Sequence, residues 1–146
     1  IAMWCALSGG AEEVLIPENK GIVTDDMVIE QILMNRSRGK RHNLVVVAEG
    51  VGGTVRLAKK IQDITGIQTR ATVLGHLQRG GTPSAVDCTH ASMMGYLATM
   101  QILEGGKNKI IAYNKGQYEA LDLSEALNAT KKIDDSYYDV LKLLSI

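Results

Sequence analysis

Two spacings of apolar residues alternate along the chain. Residues 1–7 are apolar on nearly all sides, which predicts a buried helix ended by Ser8-Gly9-Gly10. Residues 13–17 read as a short buried strand closed by Pro17. Thr24 or Asp25 then caps a helix whose apolar positions Val28, Ile29, Ile32 and Leu33 share one face. Arg36 and Arg38 lie in its last turn, where cations favour the negative helix end, and Gly39 stops it. The continuous apolar run at 43–48 predicts a parallel strand covered on both faces, with Glu49-Gly50 just past its carboxyl end. Residues 54–65 form an amphipathic helix with Leu57, Ala58, Ile61 and Ile64 inward and Gly66 as carboxyl cap.

β-Branched and small residues alternating over 67–73 predict another strand, which breaks at Gly75 into a glycine-rich turn carrying His76 and Arg79. Thr82 next reads as a helix cap with Pro83 at the first helical position. Residues 84–103 form a long helix, apolar on most sides and therefore expected to be well buried. Strands at 109–113 and 117–121 flank a hairpin turn at Asn114-Lys-Gly116. A short helix at 124–128 and a last one at 135–145 complete the chain. Strand and helix alternate as far as Leu103, which argues for an α/β fold: a parallel sheet flanked by helices in a Rossmann-like three-layer arrangement.

Composition narrows the partners. At 146 residues the chain suffices for one domain with a real core, or for parts of two. Sixteen acidic and sixteen basic side chains cancel, so no global field attracts nucleic acid or an anionic membrane. No apolar run is long enough to span a bilayer, and no charged-then-apolar leader opens the chain. Cys5 and Cys88 are isolated, without metal-ligand spacing, so a reduced cytoplasmic protein is the expectation. Ile1 opens directly on a helix, as in the later part of a longer chain.

The chemistry concentrates between Thr69 and Pro83. A strand that ends in Gly, His and Arg and leads into a helix amino terminus suits an anion, because arginine offers a bidentate fork and the free N–H groups a positive end. In parallel α/β sheets ligands lie outside the carboxyl ends of strands. Glu49-Gly50 follows one predicted strand and residues 75–81 the next. If those strands are neighbours, Glu49, His76 and Arg79 converge on one crevice. An acceptor for sugar hydroxyls beside cations for a phosphate suggests a phosphosugar.

The segment Leu74-Gly-His-Leu-Gln-Arg-Gly-Gly-Thr-Pro83 resembles the signature of the 6-phosphofructokinases. Leu7-Ser-Gly-Gly-Ala-Glu12, Leu15-Ile-Pro-Glu18, Arg38-Gly-Lys-Arg-His42, Val47-Ala-Glu-Gly-Val51 and the tail from Ile133 to Ile146 resemble bacterial members, in the family's order. The resemblance implies an incomplete phosphofructokinase fold and a cytoplasmic, homotetrameric, allosteric glycolytic enzyme. That enzyme carries a phosphoryl group from ATP, with Mg2+, to the 1-hydroxyl of fructose 6-phosphate. It implies that Glu49 hydrogen-bonds the sugar, that His76 and Arg79 hold the 6-phosphate of the same subunit, and that Arg70 reaches the adjacent subunit's 6-phosphate. Extended chain from Arg70 to His76 would span roughly 20 Å, too far for one small sugar phosphate to touch both without a sharp bend.

The resemblance further implies an effector site for ADP or phosphoenolpyruvate. Gly10, Ala11 and Glu12 match the segment at the effector's magnesium, with Glu12 as the metal ligand; Arg38, Lys40, Arg41 and His42 match the cationic segment on its phosphates. Cys88 stands where bacterial members commonly have arginine, and two extra residues fall between Pro17 and Arg38. The family's glycine-rich ATP loop and its Thr-x-Asp-x-Asp segment, which bears the catalytic base, do not occur here. The implied organisation is a fructose 6-phosphate and effector domain over 1–81, a segment at 82–132 returning to the ATP-binding domain, and a carboxyl-terminal helix at 133–146. The isolated chain is then expected to lack catalytic residues and activity. A non-catalytic phosphosugar- or nucleotide-binding regulatory domain and a pyrophosphate-dependent phosphofructokinase are the alternatives.

Overall fold

The computed structural model describes residues 1–19, 23–130, 133–134 and 136–145. The chain divides into two compact units, Ile1–Val73 with Ile133–Ile146, and Leu74–Lys132.

The first unit is a three-layer sandwich on a minimal sheet. Strands β1 (Glu13–Leu15) and β2 (Val45–Val47) pair in parallel, Val14 opposite Val46. Because strand side chains alternate, β1 sends Val14 and Ile16 to one face and Leu15 to the other. On the first face they meet Met3 and Ala6 of helix α1 (Ala2–Gly9), Ala11, and Leu141 of the carboxyl-terminal helix. On the second, Leu15 meets Val28, Ile29 and Ile32 of helix α2 (Asp25–Ser37) and Leu57 and Ile61 of helix α3 (Thr54–Thr65). Each fully buried aliphatic side chain contributes about 1.5–3 kcal/mol. Val46 and Ala48 pack toward the first core and Val45 and Val47 toward the second. The expected two-sided cover of this strand is therefore present. It is half-buried, since no second strand pairs along it among the described residues.

Local signals set the ends of these helices. The Thr24 hydroxyl accepts from the Met27 N–H, which makes Thr24 the cap of α2, and Asp25 and Asp26 sit in the first turn. Asp25 and Asp26 also tie α2 to α3 through Arg56 at 3.0 Å and Lys60 at 2.8 Å. Gly10 ends α1 and Gly66 ends α3, both in the left-handed conformation that glycine adopts without strain.

Several expectations are corrected. Helix α1 buries only Met3 and Ala6, and Trp4 is 71% exposed, because the sheet lies on one side of it alone. Leu33 and Ile64 are exposed as well. Asn35 takes the place on the inner face of α2 that Leu33 was expected to hold. Residues 67–73 run without a ladder partner among the described residues and form no strand, so no ladder joins them to β2. A strand exists only through hydrogen bonds to another, and β-branched alternation alone does not provide one.

In the second unit, residues 75–79 form a short 3-10 helix, Gly75–Arg79, within the expected glycine-rich turn. Helix α4 (Ala85–Leu103) begins two residues after Pro83, with Ser84 as its cap. The Ser84 hydroxyl accepts from the Asp87 N–H while the Asp87 carboxylate accepts from the Ser84 N–H, a reciprocal capping box that outcompetes Thr82. Contrary to expectation α4 buries no residue: Val86, Met93, Tyr96, Ile102 and Leu103 are exposed. Among the described residues of this unit it packs chiefly on the antiparallel hairpin of β3 (Lys109–Asn114) and β4 (Gln117–Asp122). His90 of α4 meets Tyr118 there, Nδ1 to hydroxyl 2.7 Å, and stacks obliquely on Tyr113. The hairpin turns on Lys115 and Gly116, both at positive φ, as the Asn-Lys-Gly pattern predicts. Helix α5 (Leu123–Asn128) follows, capped by Asp122.

Helix α6 (Ser136–Leu144) returns to the first unit. The expected start of this helix at Asp135 lies outside the described residues, as do residues 20–22 of the interval carrying the two extra residues. Both cysteines are free and exposed, and no described helix is long and apolar enough to cross a membrane.

Candidate functional site

The candidate residues fall into three local groups. The first lies at the carboxyl ends of β1 and β2. The Ala48 N–H donates to the Leu15 carbonyl and prolongs the ladder by one bond, and the chain then turns over Glu49 and Gly50. Gly50 is required there, because a Cβ would stand 2.7 Å from the Pro17 ring. The Val51 and Gly52 N–H groups donate back to the Ala48 and Glu49 carbonyls, so the turn is hydrogen-bonded and holds Glu49 exposed at its apex. Beside it a cavity of about 260 Å³ opens between Leu15, Val47, Gly52, Gly53, Arg56 and Leu57. Arg56 at its rim is paired with Asp25. Arg70 is exposed on the unpaired segment of the same unit.

The second group is His76 and Arg79 on the 3-10 helix of the second unit. That helix has three residues per turn, so positions i and i+3 eclipse. His76 and Arg79 therefore lie on one edge of a single turn, both exposed. Gly75 at φ 53° admits the chain to that turn and Gly81 at φ 133° releases it, conformations open mainly to glycine. Glu49 and Arg70 belong to the first unit and His76 and Arg79 to the second, so only the His76–Arg79 pair is a single local arrangement.

The third group is brought together by the fold of the first unit. Gly10 and buried Ala11 lead from α1 into Glu12, whose backbone N–H donates to the Leu44 carbonyl at 2.9 Å. The Glu12 carboxylate is buried. One oxygen lies 3.0 Å from Lys40 Nζ and the other accepts from the Leu44 N–H. Lys40 also donates to the Ser145 carbonyl at 3.2 Å. Arg38, Arg41 and His42 stay exposed around it. Among the described residues no group of three His, Cys, Asp or Glu side chains could cage a metal ion. A single hard carboxylate suits Mg2+ when phosphate oxygens and water supply its other ligands.

The sequence reading did not find the residues that hold this basic segment. Asn35, buried in α2, accepts from Gln31 at 3.0 Å and donates to Asn43 Oδ1 at 2.8 Å, which fastens the far end of the segment. Its signal was an amide at helical spacing from Val28 and Ile32, on the apolar face of α2. Tyr138 of α6 hydrogen-bonds the Val14 carbonyl and so docks the last helix onto β1.

Residues 1–103 match the family profile for phosphofructokinase. The ATP-dependent 6-phosphofructokinase of Clostridium novyi (strain NT) is 45% identical over 145 residues, 99% of this chain and 45% of that protein. The enzyme of the same name from Clostridium botulinum (strain Loch Maree / Type A3) is 41% identical over the same share of each chain. The chain thus spans less than half the length of these relatives. Among solved structures, phosphofructokinase from Saccharomyces cerevisiae superposes with a TM-score of 0.76 at 29% identity, over 99% of this chain and 20% of that one. Pichia pastoris phosphofructokinase in the T-state matches with the same score and identity, over 18% of its chain. Sequence and fold agree along the chain, and on that ground it belongs to the phosphofructokinase family.

Proposed function

We propose that this chain is the sugar-phosphate and effector part of an ATP-dependent 6-phosphofructokinase, a cytoplasmic homotetramer that phosphorylates fructose 6-phosphate at its 1-hydroxyl. The observation that carries this reading is the 45% identity, sustained over 145 residues, to a protein of that name. The one-turn helix that aligns His76 with Arg79 supports it. In this reading Glu49 accepts hydrogen bonds from sugar hydroxyls, and His76 and Arg79 hold the 6-phosphate of their own subunit. Arg70 serves the neighbouring subunit's phosphate. Residues 1–81 form the sugar-phosphate and effector domain, 82–132 return to the ATP-binding domain, and 133–146 close the first.

No residue of this chain is assigned to phosphoryl transfer itself. The catalytic base and the ATP loop belong to the part of the relatives that this chain does not span. Mg2+, when bound with ATP, neutralises γ-phosphate charge at a site mainly outside these residues. Gly10, Ala11, Glu12, Arg38, Lys40, Arg41 and His42 form half of an effector site for ADP or phosphoenolpyruvate. Glu12 supplies an oxygen to the effector's Mg2+ and the basic segment engages its phosphates.

An assay coupling fructose 1,6-bisphosphate formation to NADH oxidation tests this. The chain alone is expected to be silent with ATP and with pyrophosphate. Joined to the amino-terminal portion of the Clostridium novyi relative, it is expected to turn over with ATP. Turnover with pyrophosphate alone would favour the pyrophosphate-dependent reading. Binding of fructose 6-phosphate without turnover in the joined protein would favour a regulatory module.

A further inference from the structure

The turn after β2 holds glycines for two different reasons. Gly52 and Gly53 lie at φ 70° and 68°, the left-handed backbone that glycine adopts without strain. The φ of Gly50 lies outside that range, so its backbone does not call for glycine. What excludes a side chain at 50 is space. A Cβ there would stand 2.7 Å from Cγ of Pro17, closer than carbon atoms pack. It would stand 3.7 Å from the Pro17 Cβ and 3.9 Å from its Cδ, which are ordinary contacts. A single ring atom therefore dictates the glycine.

Neither side of this contact moves away cheaply. The proline ring has no side-chain rotamer to swing, and it fixes its own φ. It follows Ile16, which is 4% exposed, and Leu15, whose carbonyl accepts from the Ala48 N–H at 2.9 Å. That hydrogen bond also ties down the start of the turn. Beyond Ala48 the turn is held by its own bonds, from the Val51 N–H to Ala48 and from the Gly52 N–H to Glu49. A push at Gly50 therefore displaces the residue joined to it at the apex, Glu49.

Resting on the assignment of Glu49 to the sugar, we propose that Pro17 is a positioning residue for that carboxylate. Its ring seats the backbone at Gly50 and so sets where the turn presents Glu49. Pro17 acts through the turn and touches no substrate. The Cγ at 17 and a Cβ at 50 are alternative occupants of one space. Moving that carbon across the contact, by Pro17→Ala together with Gly50→Ala, leaves the two Cβ atoms 3.7 Å apart and preserves the seat.

The test is a double-substitution cycle in the chain joined to the amino-terminal portion of the Clostridium novyi relative, read by thermal melts and by the coupled assay. Gly50→Ala is expected to lower the melting temperature by about 5 °C. It is expected to raise the KM for fructose 6-phosphate about 10-fold, with kcat changed less than about 2-fold. Pro17→Ala alone leaves the turn unbacked and is expected to raise KM about 3-fold. The double variant is expected to return to within about 2-fold of the parent KM and to regain the parent melting temperature. Gly52→Ala, strained by its backbone and not by Pro17, is expected to gain nothing from Pro17→Ala.

Losses at 17 and 50 that simply add overturn the proposal. So does a Gly50→Ala that leaves KM unchanged where Glu49→Gln raises it. If Gly50→Ala fails to fold, the double variant decides: recovery of both fold and KM supports the seat, and any other result overturns it. An unchanged KM in Glu49→Gln removes the sugar reading of Glu49 instead, and the melting cycle then decides whether Pro17 and Gly50 are matched.

Discussion

The amide of Asn35 is 1% exposed and engaged at both ends, accepting from Gln31 and donating to Asn43. Truncating it strands two half-buried partners, so Asn35→Ala should cost about 1–3 kcal/mol, read as a lowered denaturation midpoint with unchanged slope. The basic segment should also exchange its amide hydrogens faster in that variant. For Arg79 the expectation is functional. In a completed enzyme, Arg79→Ala should raise the KM for fructose 6-phosphate through loss of a charge-assisted contact of about 1.5–3 kcal/mol, with kcat less affected. An unchanged KM would remove Arg79 from the sugar site. Mixing an Arg70→Ala subunit with one carrying Arg79→Ala should restore part of the activity if Arg70 acts across subunits, and no recovery would argue that it does not. Arg79 stood out in the sequence through its glycine neighbours, and Glu12 only through the family resemblance of its segment. Asn35 did not, because a buried polar residue is recognisable only once its partners are known.

At the scale of elements, helix caps and turns followed local chemistry. Asp87 is held below the usual carboxylate range, chiefly by its hydrogen bond from the Ser84 side chain and then by the Ser84 N–H. A depressed pKa means that the capping box stabilises α4 fully above the ordinary carboxylate value and loses that contribution as pH falls through the lowered one. Ser84→Ala should therefore lower the melting temperature of the helical signal at pH 7, and the gap to the parent chain should narrow below about pH 4, leaving the pH-independent loss of the Asp87 N–H cap. A gap independent of pH would show that Asp87 takes no part. In the hairpin, Lys115 sits at φ 49° and Gly116 at φ 85°. Gly116→Ala should cost roughly 1–2 kcal/mol, while Lys115→Asn should be neutral or stabilising, since asparagine tolerates the left-handed region. Thermal melts of the two variants check the pair. The long helix shows the limit of such reading. Its apolar content identified a helix, but nothing in residues 84–103 states which elements will cover it.

For the whole molecule, the two units differ in how fully they are covered. The first has both faces of its small sheet packed by helices. In the second, among the described residues, α4 packs chiefly on a hairpin and leaves Val86, Met93, Tyr96, Ile102 and Leu103 exposed. Apolar area of this kind binds hydrophobic dyes and drives association. The isolated chain should therefore enhance the fluorescence of an anilinonaphthalene dye and self-associate with rising concentration in sedimentation velocity. Met93→Glu should reduce both effects, and a dye-silent, strictly monomeric parent chain would contradict the exposure. The relatives are more than twice as long, and joining the missing portion should suppress dye binding if it covers α4.

The sequence alone determined what depends on neighbours in the chain. The position and type of most helices, their Thr24, Gly10 and Gly66 ends, the hairpin turn at Lys115-Gly116 and the family signature at 74–83 are all set by backbone preference and spacing over a few residues. Tertiary structure decided what depends on distant pairing. It left residues 67–73 without a strand partner among the described residues, made an outward residue of Trp4, and joined Lys40 to Glu12 and Ser145. A hydrogen-bond ladder, a burial side and an ion pair each require a second segment to arrive. The sequence holds both segments without recording that they meet.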